Sequence, residues 1–148
     1  MTEAPFRFRH AVEVRFKDID AGGHAHHSQA LVYFEEARNA YWREVAGRGG
    51  LGEIDYILVE AGVRYHRRIL WPQTVDVGVR VSRLGKKSFE MEFLIRSSEG
   101  ERLVSGRTVQ VMYDYGVAAT TRMPDPVRAS IEAWDGPFGA GGRPQSPD

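Results

Sequence analysis

The stretch Asp18-Ile-Asp-Ala-Gly-Gly-His-Ala-His-His-Ser-Gln-Ala-Leu-Val-Tyr-Phe-Glu-Glu-Ala-Arg38 decides the fold. It leaves a strand, turns through paired glycines and enters a long amphipathic helix. Upstream of it, Val12, Val14 and Phe16 alternate with Glu13, Arg15 and Lys17, which predicts a half-buried strand over residues 8–17. Carried past Phe16, the same parity turns Asp18 and Asp20 toward the apolar side. Gly22 and Gly23 supply backbone conformations that other residues resist, so the strand ends there. Downstream, Ser28 is the expected N-cap. Ala30, Phe34, Ala37, Tyr41 and Val45 recur at spacings of three and four, the stripe of a helix with one buried face. Leu31, Tyr33 and Trp42 widen that stripe, and a curved sheet wrapped around the helix would cover it.

The rest of the chain reads as strands. Gly47, Gly49, Gly50 and Gly52 close the helix. Residues 56–68 are extended, and Trp71-Pro72 marks a turn. Val75, Val77, Val79 and Val81 alternate with polar or small residues, as do Phe89, Met91, Phe93 and Ile95, with Leu94 on the polar side. Turns are expected at 83–87 and 98–101, a last long strand at 103–115, and a short helix from Pro124 to Trp134. From Gly136 the composition is that of a disordered tail. The organisation is therefore one α+β domain over 1–135 and a tail over 136–148. Its sheet has about five antiparallel strands. One helix on one sheet leaves a face or an edge open, and a homodimer, or a dimer of dimers forming a homotetramer, is expected to cover it.

The 148 residues carry 20 basic and 20 acidic side chains, so no overall field draws the chain to nucleic acid or to an acidic membrane surface. With no cysteine there is no disulfide framework and no thiolate nucleophile. The opening residues lack an apolar signal region, and no apolar run has the length of a membrane span. A cytoplasmic protein is the expectation.

Chemistry concentrates where the strand meets the helix. A helix start has N–H groups without intrahelical partners and partial positive charge, so a nearby carboxylate can share a space with a polarised carbonyl. Asp18 and Asp20 are the candidate carboxylates, and either is also an ordinary turn residue. Asp18 reads as the structural one, held by turn bonds or by an arginine. His24, His26 and His27 invite a metal reading, but three histidines within four residues and no further ligand fit no recognised site, so no metal is expected. Glu35 and Glu36, one turn into the helix, are alternative bases, though acids are favoured near a helix start in any case. There is no Gly-Lys-Ser/Thr for a nucleotide loop and no Gly-x-Ser-x-Gly.

Asp18-x-Asp20-Ala-Gly-Gly, with Ser28 opening a helix that reads Tyr33-Phe-Glu-Glu-Ala-Arg38, resembles the hotdog-fold acyl-CoA thioesterases. The branch it is most similar to holds 4-hydroxybenzoyl-CoA thioesterase and the Tol–Pal-associated, YbgC-like enzymes. The likeness runs over residues 8–115 and includes Tyr65 and the hairpin Arg83-Leu-Gly-Lys-Lys-Ser-Phe89. It implies a hotdog fold, a long central helix wrapped by a curved antiparallel sheet, and hydrolysis of an acyl-CoA or aroyl-CoA thioester. Coenzyme A would be part of the substrate, and no separate cofactor is implied. Position by position, Asp20 becomes the catalytic carboxylate and the backbone N–H of His27 the oxyanion donor, with Gly23 shaping the turn. His24, Ser28 and Tyr65 would meet the substrate. By their charge, Arg83, Lys86 and Lys87, with Arg67 and Arg68 near them, are candidates to hold the coenzyme A phosphates, and basic turn residues are also ordinary solvated surface. The resemblance also implies sites at subunit interfaces. Trp71-Pro72-Gln73 departs from the family pattern of an aromatic, Gly and Asp. Two rivals stand beside it: a hotdog dehydratase pairing His24 or His27 with Glu36, and a non-catalytic acyl-CoA-binding module.

Overall fold

The computed structural model describes residues 6–48 and 52–139. Strand β1 (Phe8–Glu13) leads through a 3-10 turn at Phe16–Asp18 to helix α1 (Gln29–Glu44). Four strands follow: β2 (Tyr56–Tyr65), β3 (Thr74–Leu84), β4 (Ser88–Arg96) and β5 (Arg102–Asp114). A two-residue β6 (Ala119–Thr120) and helix α2 (Asp125–Asp135) complete the chain. The sheet is antiparallel throughout, in the order β1-β3-β4-β5-β2, with β6 hanging from β5.

The alternating valines of β3 bury Val75, Val77, Val79 and Val81 toward α1, and β4 does the same with Phe89, Met91, Phe93 and Ile95. Phe34 of α1 stacks on Phe93 at 4.5 Å between ring centres, and Trp42 on Phe89 at 5.1 Å. Close approach of helix and sheet needs Gly106 on β5, where a methyl group would overlap the Phe34 ring. Leu94 does point to the other face, yet it is buried: Phe6 lies over Gly78, its register partner, 2.7 Å from where a β-carbon would stand. The long helix held in a curved sheet is the hotdog arrangement.

Three local expectations change. Phe16 is not a strand residue but is 75% exposed, because the chain leaves the sheet after Val14. The Asp18 carboxylate accepts the Arg15 N–H at 3.1 Å and tightens this segment into the 3-10 turn. Ser28 is not the side-chain cap of α1: its backbone is already helical and its hydroxyl bonds to His26 instead. Pro124 precedes α2 in extended conformation, and the helix itself starts at Asp125. Beyond α2, Phe138 packs against the core, while residues 140–148 of the expected tail and the glycines Gly49 and Gly50 lie outside the described residues.

Helix α2 closes the end of the sheet where β1 stops. Register pairing with β1 ends at Val79, so the Val81 N–H needs another acceptor; Asp135 accepts it at 2.9 Å and also takes the Tyr41 hydroxyl at 2.5 Å. No helix among the described residues is long and apolar enough to cross a membrane.

Candidate active site

The two aspartates of the strand-to-helix turn have separate environments. Asp18 is buried, and the same oxygen that accepts the Arg15 amide takes the Tyr33 hydroxyl at 2.8 Å. Burial, with the Asp18 carboxylate beside it, pushes the Tyr33 phenol above its ordinary pKa, so the phenol stays a donor. The Asp18 carbonyl also accepts the His26 N–H at 2.8 Å, so this residue pins both ends of the turn. Turn bonding, rather than a bridge to arginine, is its role.

Asp20, two residues on, is half-buried. Its Oδ1 accepts the Gly22 N–H at 2.8 Å, and among the described residues its second oxygen carries no hydrogen bond. Main-chain bonds close the loop around it, from Asp20 N to His24 O at 2.9 Å and from Gly23 N to Asp20 O at 3.1 Å. Gly23 has φ +84°, the region that favours glycine, and it shapes the turn without lining the cleft. The space over Gly22 is tight: a β-carbon there would stand 3.1 Å from Asp20 Oδ1 and 3.2 Å from His24 Nε2. The turn is docked on the segment after β2 through Ala25 N to Ile69 O at 2.9 Å and a bridge between His24 and Leu70.

The helix mouth follows. His26 caps it, its carbonyl accepting Gln29 N–H at 2.8 Å and its Nδ1 accepting Ser28 N–H at 3.2 Å. A backbone N–H can only donate, so Nδ1 is the unprotonated nitrogen in this arrangement. The next amide, His27 N–H, has no acceptor among the described residues. The Tyr65 hydroxyl, reaching across from β2, donates to the His27 carbonyl at 2.5 Å and holds this residue in place. Burial moves the Tyr65 phenol upward as well.

Asp20, His24, His27 and Tyr65 line one cleft of about 330 Å³ at this corner. The structure thus gathers four of the sequence-expected residues. Ser28 sits at the mouth, exposed and turned to His26. Arg83, Lys86 and Lys87 are not part of the cleft within one chain. Arg83 is the next-to-last residue of the 11-residue strand β3, at its far end, and Lys86 and Lys87 lie in the turn just beyond. At roughly 3.3 Å per residue that strand alone spans on the order of 35 Å. The cations that do line the cleft are Arg67 and Arg68, with His66 next to them. His66 had no sequence signal, since it is brought in by its bond to Ser105 Oγ at 2.8 Å, 39 residues away. Glu36 is exposed, and neither it nor Glu35 lines the cleft. No group of three His, Asp or Glu side chains among the described residues is arranged to hold a metal ion.

The sequence model of the thioesterase-like superfamily matches residues 14–131, which spans the turn, the long helix and every strand after β1. The chain belongs to that superfamily. A thioesterase from Thermus thermophilus, solved with coenzyme A and Zn, is 34% identical, with a TM-score of 0.76 over 85% of this chain and 92% of that one. YsmA of Bacillus subtilis, an uncharacterised protein, is 26% identical over 106 residues, 72% of each chain. The 1,4-dihydroxy-2-naphthoyl-CoA thioesterase of Synechocystis superposes with a TM-score of 0.76 at 20% identity, covering 88% of this chain and 98% of that one, a likeness of fold. As a member of the thioesterase-like superfamily with the hotdog fold, the chain is a thioester hydrolase.

Proposed function

We propose that this superfamily member hydrolyses acyl-CoA or aroyl-CoA thioesters in the Asp20 cleft, with Asp20 as the reacting carboxylate and the His27 N–H as the oxyanion donor. The observation that supports this most is the sharing of one cleft by a carboxylate oxygen and a backbone amide that both lack protein partners among the described residues. As base, the free Asp20 oxygen takes a proton from water while the water oxygen bonds to the thioester carbon. As nucleophile, it bonds to that carbon itself and forms an anhydride that water then cleaves. Either way the carbonyl oxygen becomes an oxyanion facing His27 N–H, and the C–S bond breaks to release the thiol. An oxyanion donor of this kind typically lowers the barrier by about 3–4 kcal/mol. The reaction as written requires no metal or redox group.

Arg67 and Arg68, at the rim of the same cleft, are the cations of this chain placed to meet coenzyme A phosphates. The Arg83–Lys87 hairpin would do so only from another copy. A homodimer is part of this reading. Strand β2 is an edge of the sheet, and Leu58, Val59 and Tyr65 on it are 47%, 54% and 51% exposed, a surface suited to a second copy.

Asp20→Asn, assayed for thiol release across short, long and aromatic acyl-CoAs, is the test. Loss of turnover with the fold and the assembly retained is expected. Turnover that survives the substitution removes Asp20 from the mechanism, and conversion of a hydroxyacyl-CoA to its enoyl thioester, water being lost and no thiol released, would replace hydrolysis by dehydration.

A further inference from the structure

Burying a charged guanidinium without an anionic partner is costly. Arg38 is in that position. It is 7% exposed, its Nε has no hydrogen-bond partner, and no carboxylate among the described residues lies within ion-pair distance. Its nearest aromatic neighbour is Tyr56, a neutral phenol, with Cζ 5.8 Å from the ring centre. Burial raises the Tyr56 pKa, and the Arg38 charge and its hydrogen bonding to the phenol oxygen, a neutral acceptor, oppose that rise. The Tyr56 hydroxyl is donated elsewhere, to Asn39 at 3.1 Å.

Arg38 lines a groove of about 520 Å³ between the second half of α1 and the start of β2. That volume is within the usual range for small-molecule sites, about 300–1,000 Å³. Trp42, Tyr56, Leu58 and Tyr115 form its apolar and aromatic walls, and the Glu35 carboxylate lines it as well, outside ion-pair distance of Arg38. A second guanidinium, Arg48, also lines it. Arg48 reaches Asp55 at 3.3 Å through Nη2, but its Nε is likewise buried without a partner. Cations near the end of a helix are favoured by its dipole, which accounts for Arg43 and for Arg48 just beyond α1. It does not account for Arg38, which is mid-helix and buried. Arg38 stands eleven residues from His27, about 16 Å along the helix at 1.5 Å per residue, so this groove is not the Asp20 cleft.

We propose that the groove binds an organic carboxylate, its two oxygens taken by the Arg38 fork and its apolar body laid against Trp42, Tyr56, Leu58 and Tyr115. A planar guanidinium matches a planar carboxylate in two parallel hydrogen bonds, and the aromatic walls select an acid with an apolar or aromatic body over a bare inorganic anion. The free acid released by thioester hydrolysis has this chemistry. That identification of the ligand rests on the reaction proposed above; the groove and its binding do not.

The probe is 2-naphthoate, titrated by equilibrium dialysis into the full-length protein, with 2-naphthamide as the uncharged control. Asp20→Asn is run alongside, so that any binding in the catalytic cleft is separated from binding in the groove. Naphthoate should bind both the parent protein and Asp20→Asn, and Arg38→Met should weaken it at least tenfold. Because methionine replaces a buried, unpaired charge by an apolar chain, the variant should fold. Asn39→Asp, an isosteric change in the groove lining that keeps an oxygen for the Tyr56 hydroxyl, should weaken naphthoate in the same direction by placing a like charge in the groove. Equal affinity in Arg38→Met, or equal affinity for the amide, would overturn the proposal. So would a dimer that becomes monomeric in Arg38→Met, since the groove would then belong to a partner's carboxylate. Failure of thiol release in the parent protein, with naphthoate binding intact, would remove the reaction and leave the site.

Discussion

Asp18→Asn and Asp20→Asn should part stability from turnover, although the two residues are neighbours in one short turn. In Asp18→Asn the amide oxygen can still accept both the Tyr33 hydroxyl and the Arg15 N–H, so what is lost is the charge on the acceptor. Hydrogen bonds to charged groups contribute about 1.5–3 kcal/mol and neutral ones about 0.5–1.5 kcal/mol. The difference is about 1 kcal/mol for the buried Tyr33 bond and less for the Arg15 amide, which water reaches. A total near 1.5 kcal/mol, at roughly 2–4 °C per kcal/mol for a chain of this size, lowers the melting midpoint by about 3–6 °C. In Asp20→Asn the amide oxygen keeps the Gly22 N–H, and the site is open to solvent, so stability should hold to within about 0.5 kcal/mol. Turnover, in contrast, loses a reacting carboxylate, an effect of about 10²–10⁴-fold. Thermal unfolding followed by circular dichroism, and thiol release measured well below the midpoint, give both numbers for each variant. The opposite pattern, Asp18→Asn inactive with an unchanged midpoint, would refute the assignment of the two roles.

Further outcomes follow from the same geometry. Gly22→Ala places a methyl 3.1 Å from Asp20 Oδ1 and 3.2 Å from His24 Nε2, so the carboxylate must move; kcat/KM should fall by roughly tenfold or more, and full activity would show that the loop gives way freely. Tyr65→Phe removes the 2.5 Å bond to the His27 carbonyl, and kcat should drop by roughly tenfold at most, equivalent to about 0.5–1.5 kcal/mol, as measured by steady-state thiol release. The Asp135 carboxyl is raised above its ordinary pKa by burial, against the pull of its bonds from Tyr41 and Val81 and the charges of Arg80 and Arg7. Its folded pKa exceeds its unfolded one, so its contribution is fully present below the unfolded value and is lost as pH rises through the folded value. Asp135→Asn keeps an oxygen for both bonds, so in urea melts its stability relative to the parent should improve as pH is raised from acid toward neutral; a difference that stays flat or runs the other way would contradict this.

The sequence carried the parts of the fold that depend on nearest neighbours. The valines of β3 and the mixed apolar set of β4 alternate because one face of each strand packs on α1, and that constraint is local enough to read. Alternation failed at Phe16 because three residues of parity say nothing about whether the chain is still paired. There a side chain, Asp18, competes for the backbone and turns it out of the sheet. The helix cap was misread for a related reason. Serine has the better general record as an N-cap, but His26 comes earlier in the chain and its ring nitrogen takes the Ser28 amide.

The candidate site divides along the same line. Asp20, His24 and His27 were legible because they lie within one turn, and the turn brings them together without help. Tyr65, Arg67 and Arg68 reach it only because the segment after β2 docks against that turn through Ile69 and Leu70, a contact some 45 residues away in sequence. The basic hairpin at 83–87 shows the converse. Its composition suits phosphate, but β3 carries it to the far end of the sheet, and composition contains no information about which end a strand leaves from. Within one chain the phosphate role proposed above therefore falls to Arg67 and Arg68, which reach the cleft through the same docking that brings Tyr65 to His27. A change that loosens Ile69 from Ala25 should for this reason disturb substrate anchoring and the oxyanion donor together, while leaving the Asp20 to Gly22 contact intact.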